Sequence, residues 1–264
     1  MAAGKRPAIP EVTATRRPPL LRELALVTAL FLVYKLGRLL ADGHEARAFA
    51  NAGGVWDAER ALRLPDEASV QGLLLHSETL VHLANTYYAA VHFPATLAFL
   101  AWLYWRRPEH YRWSRRVLAA LTGAALALHL LIPLAPPRML ATTGLLDTAQ
   151  AYGPSVYGAS PAADSLANQF AAMPSLHFGW ALMVAIGLMS ATRSRRRALW
   201  LPHPLLTLLV IVGTANHYWL DALVAGVLLG AVLCFVQAPG SGPLTAGHGS
   251  ADLSASGQPV GALR

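Results

Sequence analysis

Asp221 follows His217 by four residues in the run Asn216-His217-Tyr218-Trp219-Leu220-Asp221. That spacing puts both side chains on one face of a helix. A carboxylate beside an imidazole fixes its tautomer and stabilises its charged form, which leaves the other ring nitrogen to act as nucleophile or base. Of the 14 acidic residues, Asp221 alone lies well inside a long apolar stretch, where an ionisable group is costly and usually functional. The competing reading is a buried His–Asp pair that only locks two helices together. A second cluster is Ala172-Met173-Pro174-Ser175-Leu176-His177-Phe178-Gly179-Trp180. Pro174 ahead of it predicts a helix start, where free backbone N–H groups and the helix dipole favour a phosphate. There Ser175 can donate a hydrogen bond and His177 a proton, or Ser175 is an ordinary N-cap beside an incidental histidine. A third group, Pro136-Pro137-Arg138, offers a guanidinium that binds phosphate through two parallel hydrogen bonds or anchors at a membrane interface.

The elements that must carry these residues are apolar helices. The chain has 264 residues, 55% of them hydrophobic and 13% charged, with a mean hydropathy of +0.40. Soluble domains carry about 25% charged residues, so the composition indicates an integral membrane protein. Six apolar stretches suit membrane spans, at 22–40, 79–105, 113–134, 173–191, 199–213 and 214–237. A signal peptide is the competing reading of the first, because Ala46-Arg47-Ala48 resembles a cleavage site; Lys35 and Arg38 inside the run argue for an uncleaved span. The expected fold is therefore all-α and polytopic, with six transmembrane helices and both termini cytoplasmic. Basic residues set the orientation. Counting Arg22, Arg115 and Arg116 at the first residues of the adjoining spans, the segments before span one, between spans two and three, and between spans four and five hold 14 of the 21, whereas the loops 41–76 and 135–172 hold only Arg47, Arg60, Arg63 and Arg138. Segment 41–76 is expected to lie along the outer interface as an amphipathic piece. Residues 1–21 form a basic N-terminus and 238–264 a Gly-, Ser-, Ala- and Pro-rich tail, both expected to be disordered around the 22–237 membrane domain. No internal repeat is visible. The single cysteine, Cys234, makes neither an internal disulfide nor a metal motif.

On this topology Arg138, Ser175, His177, His217 and Asp221 reach the same outer face. Together they supply a cation and helix start for a phosphate, a His–Asp pair and a second imidazole as acid, the equipment of phosphoryl transfer through a phosphohistidine. No metal or other cofactor is expected, since no Asp/Glu cluster is present to hold Mg²⁺. The short arginine clusters sit between spans, which reads as topology signal, so nucleic acid is not an expected partner.

Met173-Pro174-Ser175-Leu176-His177, with His217, Asp221 and the following Gly226, resembles the type 2 phosphatidic acid phosphatase superfamily over roughly residues 22–237. Pro136-Pro137-Arg138, Asn85-Thr86-Tyr87-Tyr88, His92-Phe93 and the stretch from Glu59-Arg60 to Gln71 look like its inositol phosphorylceramide synthase branch. The resemblance implies a six-helix membrane enzyme. His217 would be the nucleophile, Asp221 its orienting partner and His177 the acid for the leaving group, with Ser175 and Arg138 on the phosphoryl oxygens and His92 lining the pocket. The chain departs from the superfamily pattern at Leu131, where a lysine is usual, at Met139 after the arginine, and at Val210-Ile211, where Ser-Arg is usual. Lys35 and Arg38, three residues apart on one face of span one, either replace the missing cations at a phosphate or snorkel to the interface. The expected partners are a lipid substrate and the bilayer, in a bacterial plasma membrane with the site facing outside; the oligomeric state stays open. A non-enzymatic lipid carrier or scramblase is the reading from a different class, though it gives no reason for a His-x-x-x-Asp pair beside Ser-x-His.

Overall fold

The computed structural model describes residues 17–39, 45–154, 169–192 and 195–239. The disorder expected for 1–21 and 238–264 falls almost wholly outside them. Every regular element among the described residues is helical: α1 (Leu20–Leu39), α2 (Glu45–Ala61), α3 (Glu67–Leu75), α4 (Glu78–Ala90), α5 (His92–Arg106), α6 (Pro108–Leu131), α7 (Thr148–Tyr152), α8 (Leu176–Ala191), α9 (Pro202–Gly213) and α10 (Trp219–Phe235), with short 3₁₀ turns between. The one extended feature is an isolated bridge between Leu134 and Ala171.

Five of the six expected spans are single helices within a few residues of their expected bounds. The second is divided. Pro94 has no N–H to give the carbonyl of Ala90, and its ring crowds that turn, so the run breaks at Val91 into α4 and α5. Segment 41–76 contains α2 and α3. Among the described residues, only α6 is long and apolar enough by itself to cross a membrane. At 1.5 Å per residue the 12 residues of α9 reach about 18 Å, well short of a hydrocarbon core of about 30 Å.

α8 is the central helix and packs against α5, α6, α9 and α10. Its glycines make this possible. A Cβ on Gly179 would meet Leu121 of α6 at 3.2 Å and Ala225 of α10 at 3.7 Å, and one on Gly187 would collide with the Phe99 ring of α5. The core between these helices is Leu103, Val117, Leu121, Met183 and Leu229. α1 is fastened to α6 by buried Glu23, which accepts from Tyr111 Oη at 2.8 Å and pairs with Arg115. Outward, leucines stay exposed on α4, α5, α9 and α10, among them Leu83, Leu97, Leu205 and Leu223, an exterior of the kind that lipid covers better than water.

Three chain segments converge at one end of the bundle. After α6, Leu134 N–H donates to Phe170 O and Ala172 N–H to Leu134 O, joining the α6 exit to the α8 entry. α2 lies across this junction, with Asn51 Nδ2 donating to Pro133 O at 2.8 Å. The α9–α10 connection completes it, since Arg138 N–H donates to Ala215 O and Ser175 N–H to Asp221 O, both at 3.0 Å.

Candidate active site

The connection from α9 to α10 is irregular and buried without interruption from Val210 to Tyr218. Backbone of that kind is tolerated at membrane depth only inside protein. Ala215 takes left-handed backbone (φ 53°), and the bend lets the N–H groups of Asn216 and His217 both reach Ile211 O. His217 therefore projects from a fixed corner just before α10. Asp221 Oδ2 reaches back to accept from Tyr218 N–H at 3.0 Å, satisfying one of the free donors at the helix start.

The His217 ring is held from one side. Nδ1 lies 3.1 Å from Asp221 Oδ2 and 2.9 Å from Ala172 O. A carbonyl and a carboxylate only accept, so Nδ1 carries a proton, and in the neutral ring Nε2 holds the lone pair. This is the tautomer a nitrogen nucleophile requires. Asp221 is fully buried and His217 is 5% exposed.

His177, on the first turn of α8, has its ring centroid 6.0 Å from that of His217. Tyr88 stacks on it at 4.3 Å and 17°, and His92 packs at 4.4 Å on 38°. The break between α4 and α5 delivers both residues. His92 also contacts Trp180, at 5.0 Å, and the indole of Trp180 donates to Thr122 Oγ1 at 3.0 Å. Ser175 is the N-cap of α8 and its Oγ accepts from Phe178 N–H. The helix thus starts at Leu176, two residues beyond Pro174, and the serine hydroxyl keeps its own proton to donate.

Arg138 is buried within the protein. Its Nε donates to Asp147 Oδ2 at 3.0 Å and its Nη1 to Asn216 Oδ1 at 2.7 Å. Asn216 is aligned in turn by Thr214 Oγ1, which accepts from its Nδ2 at 2.8 Å. The structure therefore brings Arg138, Ser175, His177, His92, His217 and Asp221 together. Lys35 and Arg38 fall within α1, but their side chains lie outside what is described. Val210 and Ile211, which replace the usual Ser-Arg, sit in an apolar cluster with Ala84 and Tyr88. His129 is packed, its Nε2 3.1 Å from Pro174 O. Among the described residues no group of three His, Cys, Asp or Glu side chains is arranged to hold a metal ion.

A family model described as the PAP2 superfamily matches residues 53–257, which contain Arg138, Ser175, His177, His92, His217 and Asp221 but not Lys35 or Arg38. The chain belongs to the PAP2 superfamily. Membership supports a phosphatase-type enzyme with phosphatase or phosphotransferase activity, and it fits a lipid substrate and a membrane location. No curated protein and no solved structure matches the chain.

Sequence reasoning passed over several contributors to this PAP2 site. Asp147 and the Ala172 carbonyl carry no spacing signal, because their partners come from other segments. Asn216 was adjacent to the motif histidine, and Tyr88 was visible only as one of two neighbouring tyrosines. Glu59 accepts from Leu220 N–H at 2.7 Å and so braces the start of α10; it stood in the stretch that resembles the synthase branch, without a role.

Proposed function

We propose that this PAP2 protein is a membrane-embedded, metal-independent phosphotransferase or phosphatase. It acts on lipid phosphates or phospholipid head groups at the extracytoplasmic face, in the manner of the inositol phosphorylceramide synthase branch. The observation that carries the reading is the double hold on His217 Nδ1 by Asp221 and Ala172, which frees Nε2 beside a second imidazole.

His217 Nε2 attacks phosphorus and forms a P–N bond while the P–O bond to the leaving alcohol breaks. His177 gives that oxygen its proton. Asp221 stabilises the positive charge that develops on the imidazole. Ser175 and Arg138 bind phosphoryl oxygens, and His92 lines the pocket beside His177. In the second half, neutral His177 takes the proton of the acceptor, whose oxygen attacks phosphorus and releases Nε2. Water as acceptor makes a phosphatase, and a lipid hydroxyl makes a transferase.

The membrane placement is six spans with both termini cytoplasmic, following the basic residues on alternate loops. Lys35 and Arg38 are proposed to supplement Arg138 at the anionic head group.

Purified protein in lipid nanodiscs, wild type beside His217→Ala, is given a panel of lipid phosphates and phospholipids with EDTA present. Free phosphate and intact-lipid masses are recorded, and an acid-labile, base-stable phosphoenzyme is sought after rapid quenching. Turnover in EDTA that His217→Ala abolishes, with the phosphoenzyme lost as well, supports the mechanism. Turnover that survives His217→Ala refutes it.

A further inference from the structure

Glu59 and Glu67 are both fully buried at the site end of the bundle; Arg60 Nη2 lies 2.5 Å from Glu67 Oε2 and 3.9 Å from Glu59 Oε2, and the two carboxyl groups are close enough to interact. Two carboxylates cannot share a hydrogen bond unless one carries a proton. The remaining contacts assign it. Glu67 Oε2 accepts from Arg60 Nη2 at 2.5 Å, the shortest of the carboxylate contacts that Arg60 makes. Glu59 Oε1 accepts from Leu220 N–H. That leaves Glu59 Oε2, 3.9 Å from Arg60 Nη2, and Glu67 Oε1, both without a hydrogen-bond partner. A single proton on Glu59 Oε2 donated to Glu67 satisfies both.

We propose that the Glu59–Glu67 pair is a positioning device for the nucleophile: Arg60 braces Glu67, Glu67 holds Glu59, and Glu59 fixes the first turn of α10, from which Asp221 reaches His217. This rests on His217 being the nucleophile.

Asp221 must remain charged to support the imidazole, and it lies in the same buried neighbourhood. A neutral acid at Glu59 accepts from Leu220 N–H without adding a third negative charge there. The groups facing Glu59 are Arg60 on its own helix, Asp66 in the following turn, Glu67 on α3, and Tyr218 and Asp221 at the start of α10. Burial first, then the Glu67 contact, pushes the Glu59 carboxyl up to about 9.

The test uses ¹⁵N-histidine-labelled full-length protein in nanodiscs: wild type, Glu59→Gln, Glu59→Met and His217→Ala. The Nδ1–H resonance absent from His217→Ala reports the orientation of that ring directly, with no substrate needed. Glutamine keeps both hydrogen bonds of a neutral acid and does not titrate. It should leave the resonance unchanged at pH 6 and hold it at pH 9.5, where the wild-type signal shifts or broadens. Folded Glu59→Met should displace it at both pH values. In parallel, kcat on phosphatidic acid should stay within twofold of wild type for Glu59→Gln at pH 6 and exceed it severalfold at pH 9.5, with KM unchanged.

A resonance altered by Glu59→Gln at pH 6, or the same response to pH 9.5 in Glu59→Gln and wild type, overturns the proposal, as does a folded Glu59→Met with a wild-type signal. Should Glu59→Met not fold, the glutamine comparison decides alone. Turnover surviving in His217→Ala would sink the nucleophile assignment and not the ring-positioning result, so the two failures are distinguishable.

Discussion

Asp221→Asn separates the two tasks that the carboxylate performs on His217. In the serine-protease triad the equivalent change costs about 10⁴ in kcat, because the amide lets the histidine take the wrong tautomer. Here a smaller loss is expected. Tyr218 N–H donates to Asp221 Oδ2 at 3.0 Å, so an asparagine must turn its carbonyl oxygen to that position, and the same oxygen faces His217 Nδ1. The Ala172 carbonyl, 2.9 Å from Nδ1, accepts whatever residue 221 becomes. The tautomer survives, and what is lost is the charge assistance. A hydrogen bond to a charged group contributes about 1.5–3 kcal/mol and a neutral one about 0.5–1.5. The difference of about 1–2 kcal/mol corresponds to a loss of about 5- to 30-fold. Asp221→Ala removes both the acceptor and the brace on Tyr218 N–H and should cost far more. The assay is single-turnover phosphoenzyme formation in nanodiscs, with thermal melting to verify folding. A loss near 10⁴ in folded Asp221→Asn would refute the claim that Ala172 sets the tautomer.

Three further outcomes follow from named contacts. Asp147→Ala removes the Asp147 carboxylate from Arg138. Breaking a buried pair costs about 3–5 kcal/mol, and because Asp147 is 21% exposed a loss of about 2–3 is expected, read by melting temperature. Gly187→Val drives a side chain into the Phe99 ring and should destabilise by about 1–3 kcal/mol, whereas Gly230→Ala, with nothing within 4 Å of its Cβ, should be neutral or gain up to about 1 kcal/mol; equal melting temperatures for the two variants would contradict the packing of α8 on α5. Glu59 binds its proton more tightly in the folded state, with a carboxyl raised from 4.5 to about 9. Its contribution is therefore complete below about pH 4.5 and is lost as pH climbs through 9. The melting temperature of Glu59→Gln should match wild type near pH 5 and exceed it increasingly toward pH 9, as scanning calorimetry would measure.

Hydropathy located the helices because apolar residues run through each of them from end to end. It placed the fourth span at 173–191 where α8 runs Leu176–Ala191, and the sixth at 214–237 where α10 runs Trp219–Phe235. It missed the division of the second span because Pro94 acts through one absent hydrogen bond, which an averaged hydropathy does not register. For the site, helical spacing was enough to pair His217 with Asp221. The other hold on the ring is a backbone carbonyl from a segment 45 residues away, and no side-chain pattern encodes it. Arg138 illustrates the same limit. Its type suggested phosphate or interface, but its burial between Asp147 and Asn216 depends on three segments meeting.

These meetings have one physical origin. α9 is too short to cross a bilayer by itself, and the chain between it and α10 is not helical, so its polar backbone must find partners inside the protein. Ile211 O takes two N–H groups and Ala215 O takes that of Arg138. Thr214 Oγ1 donates to Val210 O at 2.7 Å while accepting from Asn216. Each bond that makes the break tolerable also aims a site residue. Thr214 aligns Asn216, Asn216 and Asp147 fix the guanidinium of Arg138, and the corner at Ala215 turns His217 toward Ala172. A continuous helix through 214–218 would satisfy the same backbone groups within itself and leave Arg138 N–H without Ala215 O. The irregular connection is therefore what joins the α6 exit to the start of α10, and it holds Arg138 and His217 in one fixed arrangement.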